Sequence, residues 1–152
     1  FRLLAQFPQF DVQTSNRAVR AVDRTTRKTF WTTDIGDIWT APQLPVLFDN
    51  MLLIGVWDQV FAIDVQTGQV RWRNQDTPFA SNFVVTDDGY LYALDYKARL
   101  VRFDVKTGQE KGYLQFAPAQ ANVSKNRYWV AADGQMLFVS FEDSQELIAL
   151  GP

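Results

Sequence analysis

The sequence contains neither cysteine nor histidine among its 152 residues. The lack of cysteine excludes disulfides and thiolate nucleophiles from this segment, and the lack of both residue types excludes zinc sites built on thiolate and imidazole ligands. Without histidine, no catalytic triad with an imidazole base can form here. A cysteine-free chain is compatible with an oxidising or a reducing compartment, so cysteine usage leaves the location open.

Long apolar runs are missing as well. The longest run lies near Met51 to Trp57 and has the length of a strand, whereas a membrane-spanning helix needs about 20 apolar residues. The first seven residues carry one charged side chain and no cleavage pattern of a secretory signal. Short apolar runs alternate with turn residues and no stretch shows extended helical periodicity, so the sequence predicts an all-β chain.

Acidic side chains are scarce in the first 31 residues. This region holds six basic and two acidic residues, although the net charge of the whole chain is −2. Two interpretations stay open: the basic residues contact an acidic surface of a partner, or they are solvated faces of hairpins. A nucleic-acid partner is not expected, because the isoelectric point is about 5.0 and no reader motif is present. The basic residues are Arg2, Arg17, Arg20, Arg24, Arg27 and Lys28.

One stretch, Gln59 to Trp72 with the sequence QVFAIDVQTGQVRW, sets the pattern for the rest of the chain. Its β-branched and apolar residues predict a strand on each side of a turn. Asp64 and Thr67 can accept hydrogen bonds from backbone amides of the turn, and Gly68 can adopt the positive φ of a short hairpin loop. The stretch is therefore predicted to be a strand, a tight turn and a second strand that ends in a large aromatic residue.

The pattern recurs on both sides of this stretch. Its aspartates, Asp23, Asp64 and Asp104, are spaced 41 and 40 residues apart. A period near forty with strands and turns inside each unit is typical of a propeller blade or a β-solenoid turn rather than of a helical repeat. In the third copy, Arg102 replaces the alanine and Gly112 replaces the tryptophan. The positions that match are Ala21, Asp23, Thr26 and Trp31; Ala62, Asp64, Thr67, Gly68 and Trp72; and Asp104, Thr107 and Gly108.

Turn signals divide the chain further into strands. Asp49–Asn50, Asp88–Gly89 and Asp133–Gly134 each separate two apolar runs and predict hairpins. The repeats fall approximately at residues 1–38, 39–78, 79–118 and 119–152 of a single partial propeller domain. Two of them are predicted to be complete four-stranded antiparallel blades. The first blade is predicted to lack its opening strand and the last its final strand, so about three to four blades are present.

The residues Ala62, Asp64, Thr67, Gly68 and Trp72 form the pattern A-x-D-x-x-T-G-x-x-x-W. This pattern resembles the tryptophan-docking motif of the quinoprotein, or PQQ-like, β-propeller repeat family. The resemblance implies that the tryptophan of one blade packs against a neighbouring blade near its alanine and turn. Rings of this family usually close with seven or eight blades, so the resemblance also implies further blades in the same chain or in another chain.

The resemblance implies a non-catalytic scaffold in a larger extracytoplasmic assembly, in the periplasm or at the cell surface. Its partners would be other protein chains or the missing blades, with no membrane-spanning segment. The alternative is half of a PQQ-dependent dehydrogenase whose residues for PQQ and calcium lie outside this segment. No catalytic residue, cofactor or metal site is expected within it, since the adjacent acids Asp87–Asp88 and Glu142–Asp143 lie in predicted hairpin turns.

A ligand surface is expected, if anywhere, on the face that carries the loops between blades and the middle hairpin of each blade. Exposed aromatic residues beside charges are frequent at binding surfaces. The alternative is that the tryptophans of these loops cap their own blades. The candidate residues are Trp39, Trp57, Asp58, Arg73 and Lys97.

Overall fold

The computed structural model describes residues 1–37, 43–56, 59–74, 77, 79–116, 128–134, 136–141 and 146–151. Within these residues every regular element is a β-strand. The strands form four sheets in which all pairs of neighbouring strands are antiparallel. The prediction of an all-β chain built from four-stranded antiparallel sheets is confirmed.

The chain divides into two compact units, Phe1–Asn74 and Gln75–Pro152. The first unit contains two four-stranded sheets, each with its strands in chain order. The first sheet consists of β1 (Arg2–Gln6), β2 (Phe10–Thr14), β3 (Ala18–Asp23) and β4 (Thr29–Asp34). The second sheet consists of β5 (Val46–Phe48), β6 (Met51–Val56), β7 (Gln59–Asp64) and β8 (Val70–Arg73).

The second unit contains the third and fourth sheets. The third sheet has four strands, and the fourth has three among the described residues. The third sheet consists of β9 (Phe79–Val85), β10 (Tyr90–Asp95), β11 (Arg99–Asp104) and β12 (Glu110–Gln115). The fourth sheet consists of β13 (Tyr128–Asp133), β14 (Met136–Phe141) and β15 (Glu146–Leu150).

The predicted hairpins occur where the turn residues place them. Phe48 pairs with Met51 across Asp49–Asn50, and Asp49 adopts a φ of 50°. Gly89 adopts a φ of 85° between β9 and β10, and its N–H donates to the carbonyl oxygen of Thr86 at 3.0 Å. Residues that tolerate positive φ therefore mark these chain reversals in the sequence.

The prediction that the first blade lacks its opening strand is wrong, because β1 and β2 both form and pair with each other. Pro8 lies in the turn between them, which is closed by a hydrogen bond from the Phe7 N–H to the Phe10 carbonyl at 2.9 Å. The sequence of this segment is similar to that of a loop, because β2 contains Asp11, Gln13 and other polar residues. All five residues of β2 are nevertheless buried.

Each unit has an apolar core to which both of its sheets contribute. The first core is formed by β2, β3 and β4 of one sheet and β6 and β7 of the other. The members of this core include Val12, Val19, Trp31, Leu52, Ile54, Phe61 and Ile63. Fully burying a valine or leucine side chain stabilises a fold by about 1.5–3 kcal/mol.

The second core is rich in aromatic residues. The ring of Phe141 meets Phe116 and Tyr128 edge to face, with centroids 5.3 Å apart in both pairs. The side-chain amide of Asn82 in β9 both donates to the carbonyl oxygen and accepts from the N–H of Val130 in β13, at 2.8 Å each. The third and fourth sheets are thus joined by packing and by a pair of hydrogen bonds.

Candidate docking site and adjoining cleft

Each copy of the repeat motif closes its turn on an aspartate side chain. In the central copy, Oδ1 of Asp64 accepts from the N–H of Gln66 at 3.0 Å and from the N–H of Thr67 at 2.9 Å. Asp23 and Asp104 accept from the N–H groups two and three residues further on in the same way. The aspartate therefore fixes the turn by binding backbone donors that strand pairing leaves without partners.

These hydrogen bonds also set the electrostatics of the motif. Arg71 donates to Oδ2 of Asp64 at 2.6 Å, and together with the bonds from Thr67 this lowers the pKa of Asp64 to about 2. Hydrogen bonds from Thr26 lower the pKa of Asp23, and those from Thr107 lower the pKa of Asp104. All three carboxylates are ionised at neutral pH, as their acceptor role requires.

The residue at the glycine position of the motif lies in the left-handed region in all three copies. Its φ is 73° at Gly68, 69° at Gly108 and 60° at Arg27. A non-glycine residue is strained there. Arg27 also donates to the buried carboxylate of Asp11 at 2.7 Å, and this bond lowers the pKa of Asp11. The first copy thus has a residue in the glycine position that stabilises a neighbouring strand.

Trp31, at the end of the first copy, docks on the turn of the second copy. Its Nε1–H donates to the carbonyl oxygen of Val65 at 2.6 Å, and its side chain is only 7% exposed. Its ring lies so close to Gly68 that a Cβ there would be 2.6 Å from its Cγ. The hydroxyl of Thr33 donates to the Gly68 carbonyl at 2.5 Å. Gly68 is therefore required both for its positive φ and for the close approach of the indole.

The tryptophan and the alanine of the motif lie opposite each other on paired strands. Ala21 pairs with Trp31 and Ala62 pairs with Trp72, and the strand register shifts directly after each alanine. The alanine leaves room on the same pair of strands for the large ring opposite. Trp72 is half-buried at the end of the first unit.

The third copy has the opposite arrangement of large and small residues. Arg102 of β11 pairs with Gly112 of β12, and the same register shift follows. The guanidinium of Arg102 lies over the ring of Tyr90, with its Cζ 4.7 Å from the ring centroid. Gly112 has a φ of 134°, and a Cβ added to it would have no atom within 4 Å. The third copy thus has no indole at this position.

A cleft lies beside this pair, between the third and fourth sheets of the second unit. One part of about 350 Å³ borders Gly112, and an adjoining part of about 700 Å³ reaches Asp87 and Asp88. Both parts are lined by four of the same residues, Tyr92, Arg102, Leu137 and Leu150. This cleft was not predicted from the sequence, and Arg102 and Gly112, which depart from the motif, both border it.

The binding face predicted from the sequence is only partly within the described residues. Trp39, Trp57 and Asp58 lie outside them. Arg73 is exposed at the end of β8 in the first unit, and Lys97 is exposed in the turn between β10 and β11 of the second. That face therefore stays a prediction.

The adjacent acids show no arrangement for metal binding in the part of the chain that the structure describes. Asp87 and Asp88 are exposed in the hairpin between β9 and β10, where the Thr86 hydroxyl donates to Asp88. Glu142 and Asp143 lie outside the described residues. The described residues bring no three potential acidic ligands together. No described helix is long and apolar enough to cross a membrane.

Most arginines of the first sheet interact with groups of the same sheet or its flanking loop. Arg24 and Arg27 pair with the buried Asp11, at 3.5 and 2.7 Å. Arg17 pairs with Asp37 at 2.9 Å, and Arg20 donates to Gln13 at 2.7 Å. Of the two open interpretations, these contacts favour basic residues that stabilise their own sheet over basic residues that bind a partner.

Comparison with known families gave one match along most of the chain. A family model described as outer membrane protein assembly factor BamB matches residues 15–152. No protein matched in a comparison with curated sequences.

The solved structures that are similar to this chain in fold include three with TM-scores of 0.64 to 0.72. BamB from Moraxella catarrhalis superposes with a TM-score of 0.64 at 20% identity, over 96% of this chain and 43% of that protein. The computationally designed protein Ika4 superposes with a TM-score of 0.71 at 12% identity, over 97% and 88% of the two chains. The designed protein Ika8 gives 0.72 at 12% identity, over 98% and 45%. The present chain thus spans less than half the length of the Moraxella BamB and of Ika8.

Proposed function

The chain belongs to the PQQ-like repeat family described as outer membrane protein assembly factor BamB, and from this membership we propose that it is a non-catalytic scaffold. Its fold is that of a β-propeller, and each of its sheets is a blade. In this proposal the blades bind other protein chains in a larger extracytoplasmic assembly. PQQ and calcium have no role in this segment.

Large apolar side chains exposed on edge strands of complete four-stranded sheets are the observation that carries the proposal. Phe30 of β4 is 54% exposed and Tyr113 of β12 is 56% exposed. Exposed aromatic residues are frequent at surfaces that bind other proteins.

The contacts within the repeats favour a scaffold over an enzyme. The motif residues form hydrogen bonds with backbone groups and with one another, and these bonds hold the turn and the neighbouring blade. The family description supports an extracytoplasmic location, since it places the family in outer membrane assembly.

The proposal is tested by site-specific photocrosslinking in the source cell. A photoreactive phenylalanine analogue replaces Tyr113 in the natural, full-length protein, and the control replaces Leu44, which is 75% exposed and lies outside any strand. We expect a crosslink to one other protein chain from position 113 and none from position 44. A crosslink from position 113 within the same polypeptide, or none at all, would contradict the proposed role of this surface.

A further inference from the structure

The turn between β10 and β11 is closed on one buried carboxylate. Asp95 is 3% exposed, and its Oδ1 accepts from the N–H groups of Lys97 and Arg99 at 2.9 Å each. Its Oδ2 accepts from Nε of Arg99 at 2.6 Å, and Nη2 of the same guanidinium lies 2.6 Å from that oxygen. Charge-assisted contacts of this kind are short and strong, so the guanidinium is held in one position.

The guanidinium of Arg99 in turn holds the ring of Tyr113 on the neighbouring strand. Its Cζ lies 4.6 Å from the ring centroid, and Tyr113 is nevertheless 56% exposed. One side of the ring therefore rests on the guanidinium while the rest faces solvent. Gln115 of the same strand donates to the carbonyl oxygen of Lys97 at 3.0 Å, which joins β12 to the turn. An aromatic side chain that is already ordered loses little conformational freedom on binding.

The end of the third sheet that carries this turn is positively charged. Asp95 and Arg99 balance each other, whereas Lys97 is exposed and forms no ion pair with an acidic side chain of the described residues. The opposite end of the sheet carries four acidic side chains and two lysines among the described residues. They are Asp87, Asp88, Asp104, Glu110, Lys106 and Lys111.

This separation of charge determines which partner the sheet can bind at each end. A carboxylate is attracted to Lys97 and repelled by the acidic end, and a basic segment has the reverse preference. Tyr96, next to Lys97 in the turn, is 41% exposed and adds a second aromatic side chain. Aromatic residues are enriched among the residues that contribute most to binding between proteins. The turn therefore offers apolar contact beside a cation.

We propose that the patch formed by Tyr96, Lys97 and Tyr113 binds an acidic segment of a partner protein in which a carboxylate stands beside an aliphatic residue. The carboxylate pairs with Lys97, and the aliphatic side chain packs on the exposed part of the Tyr113 ring. The inference rests on the proposed scaffold function, because it gives the chemistry of the segment that position 113 contacts.

Three blocked tetrapeptides test the proposal on the natural, full-length protein by saturation-transfer nuclear magnetic resonance. Acetyl-Leu-Glu-Leu-Glu-amide carries both features, acetyl-Leu-Gln-Leu-Gln-amide lacks the charge, and acetyl-Leu-Lys-Leu-Lys-amide has the opposite charge. We expect the acidic peptide to bind with a dissociation constant on the order of 1 mM. The neutral peptide should bind about threefold and the basic peptide about tenfold more weakly. No binding of the acidic peptide at about 10 mM, or equal binding of all three, would overturn the proposal.

Two variants and two matched controls connect the binding to the patch. Lys97→Glu should reverse the order of the acidic and basic peptides. Lys106→Glu, exposed in the turn between β11 and β12 at the other end of the sheet, should leave that order unchanged. Tyr113→Ala should weaken binding of the acidic peptide about tenfold, whereas Tyr113→Phe, which retains the ring, should not.

Thermal unfolding of each variant establishes that it is folded. A preference for the acidic peptide that survives Lys97→Glu, or that responds equally to Lys106→Glu, would place the site elsewhere and overturn the proposal. Unchanged binding in Tyr113→Ala would do the same.

The two proposals fail in different ways. A crosslink from position 113 to another protein chain, without a preference for the acidic peptide, leaves the scaffold function standing and removes the acidic segment as its partner. Loss of the crosslink removes the scaffold function at this surface. A preference for the acidic peptide then shows a peptide site that does not depend on an assembly.

Discussion

The motif aspartates are the residues on which each turn depends, and Asp64 predicts a dependence on pH. Its pKa is lowered from the ordinary 3.8 to about 2 by Arg71 and Thr67. A carboxylate with a lower pKa in the folded than in the unfolded protein stabilises the fold above its unfolded pKa. This contribution is lost as the pH falls from 3.8 to about 2. We expect the urea midpoint to fall through this window.

The contribution of Asp64 is isolated by substitution. Asp64→Asn should be less stable than the natural protein at pH 6 and should lose less stability on acidification, because the titrating group is gone. Asp87→Asn, in an exposed hairpin, is the matched control and should follow the natural protein. The interpretation is wrong if Asp64→Asn and the natural protein lose the same stability between pH 5 and pH 2, measured by urea unfolding.

Substitutions at two turn glycines can separate the effect of backbone conformation on stability from the effect of tryptophan docking. Gly68 and Gly134 have φ values of 73° and 59°. An added Cβ would lie 2.6 Å from Trp31 at the first position and would meet nothing within 4 Å at the second. We expect Gly134→Ala to destabilise by about 1 kcal/mol, for the positive φ alone. Gly68→Ala should lose roughly 1–3 kcal/mol more, because the indole must move.

Urea unfolding of both variants measures this difference. A Trp31→Ala background provides a further control, since removing the indole should make the two glycine substitutions nearly equal. Equal losses in the natural background would mean that the contact between Gly68 and Trp31 does not contribute to stability.

The strands that the sequence predicts correctly are those with apolar alternation and a marked turn. β6, β7, β10 and β11 have β-branched or aromatic residues on a buried face, and the turns before β6 and β10 contain Asn or Gly after Asp. β2 was not predicted because its buried polar residues depend on partners from elsewhere in the chain. Asp11 is neutralised by Arg27, sixteen residues away, and Gln13 accepts from Arg20. Local propensity carries no signal for such pairs.

The cleft was not predicted for a related reason. The departures at Arg102 and Gly112 are visible in the sequence, but each alone indicates only a weaker motif. They face each other only because β11 and β12 pair in that register. The exchange therefore becomes interpretable as a reversed pair only in the folded sheet.

The two compact units differ in how their sheets are joined. In the first, the indole of Trp31 docks on the second sheet through a hydrogen bond to Val65 and contact with Gly68. In the second, the corresponding position is Gly112, and the sheets are joined by Asn82 and by the aromatic core around Phe141. A change at the docking tryptophan should therefore act on one unit and not on the other.

Trp31→Ala should destabilise the first unit by roughly 3–5 kcal/mol, as truncation of a buried aromatic residue does. Phe30→Ala, at the adjacent and 54% exposed position, should change stability by less than about 0.5 kcal/mol. Hydrogen exchange measures the effect in each unit separately, because protected amides report local opening. The amides of β3 and β7 should lose protection in Trp31→Ala, while those of β10 and β14 retain theirs. Uniform loss along the chain would show instead that the two units unfold as one, so that the docking of Trp31 supports the whole molecule.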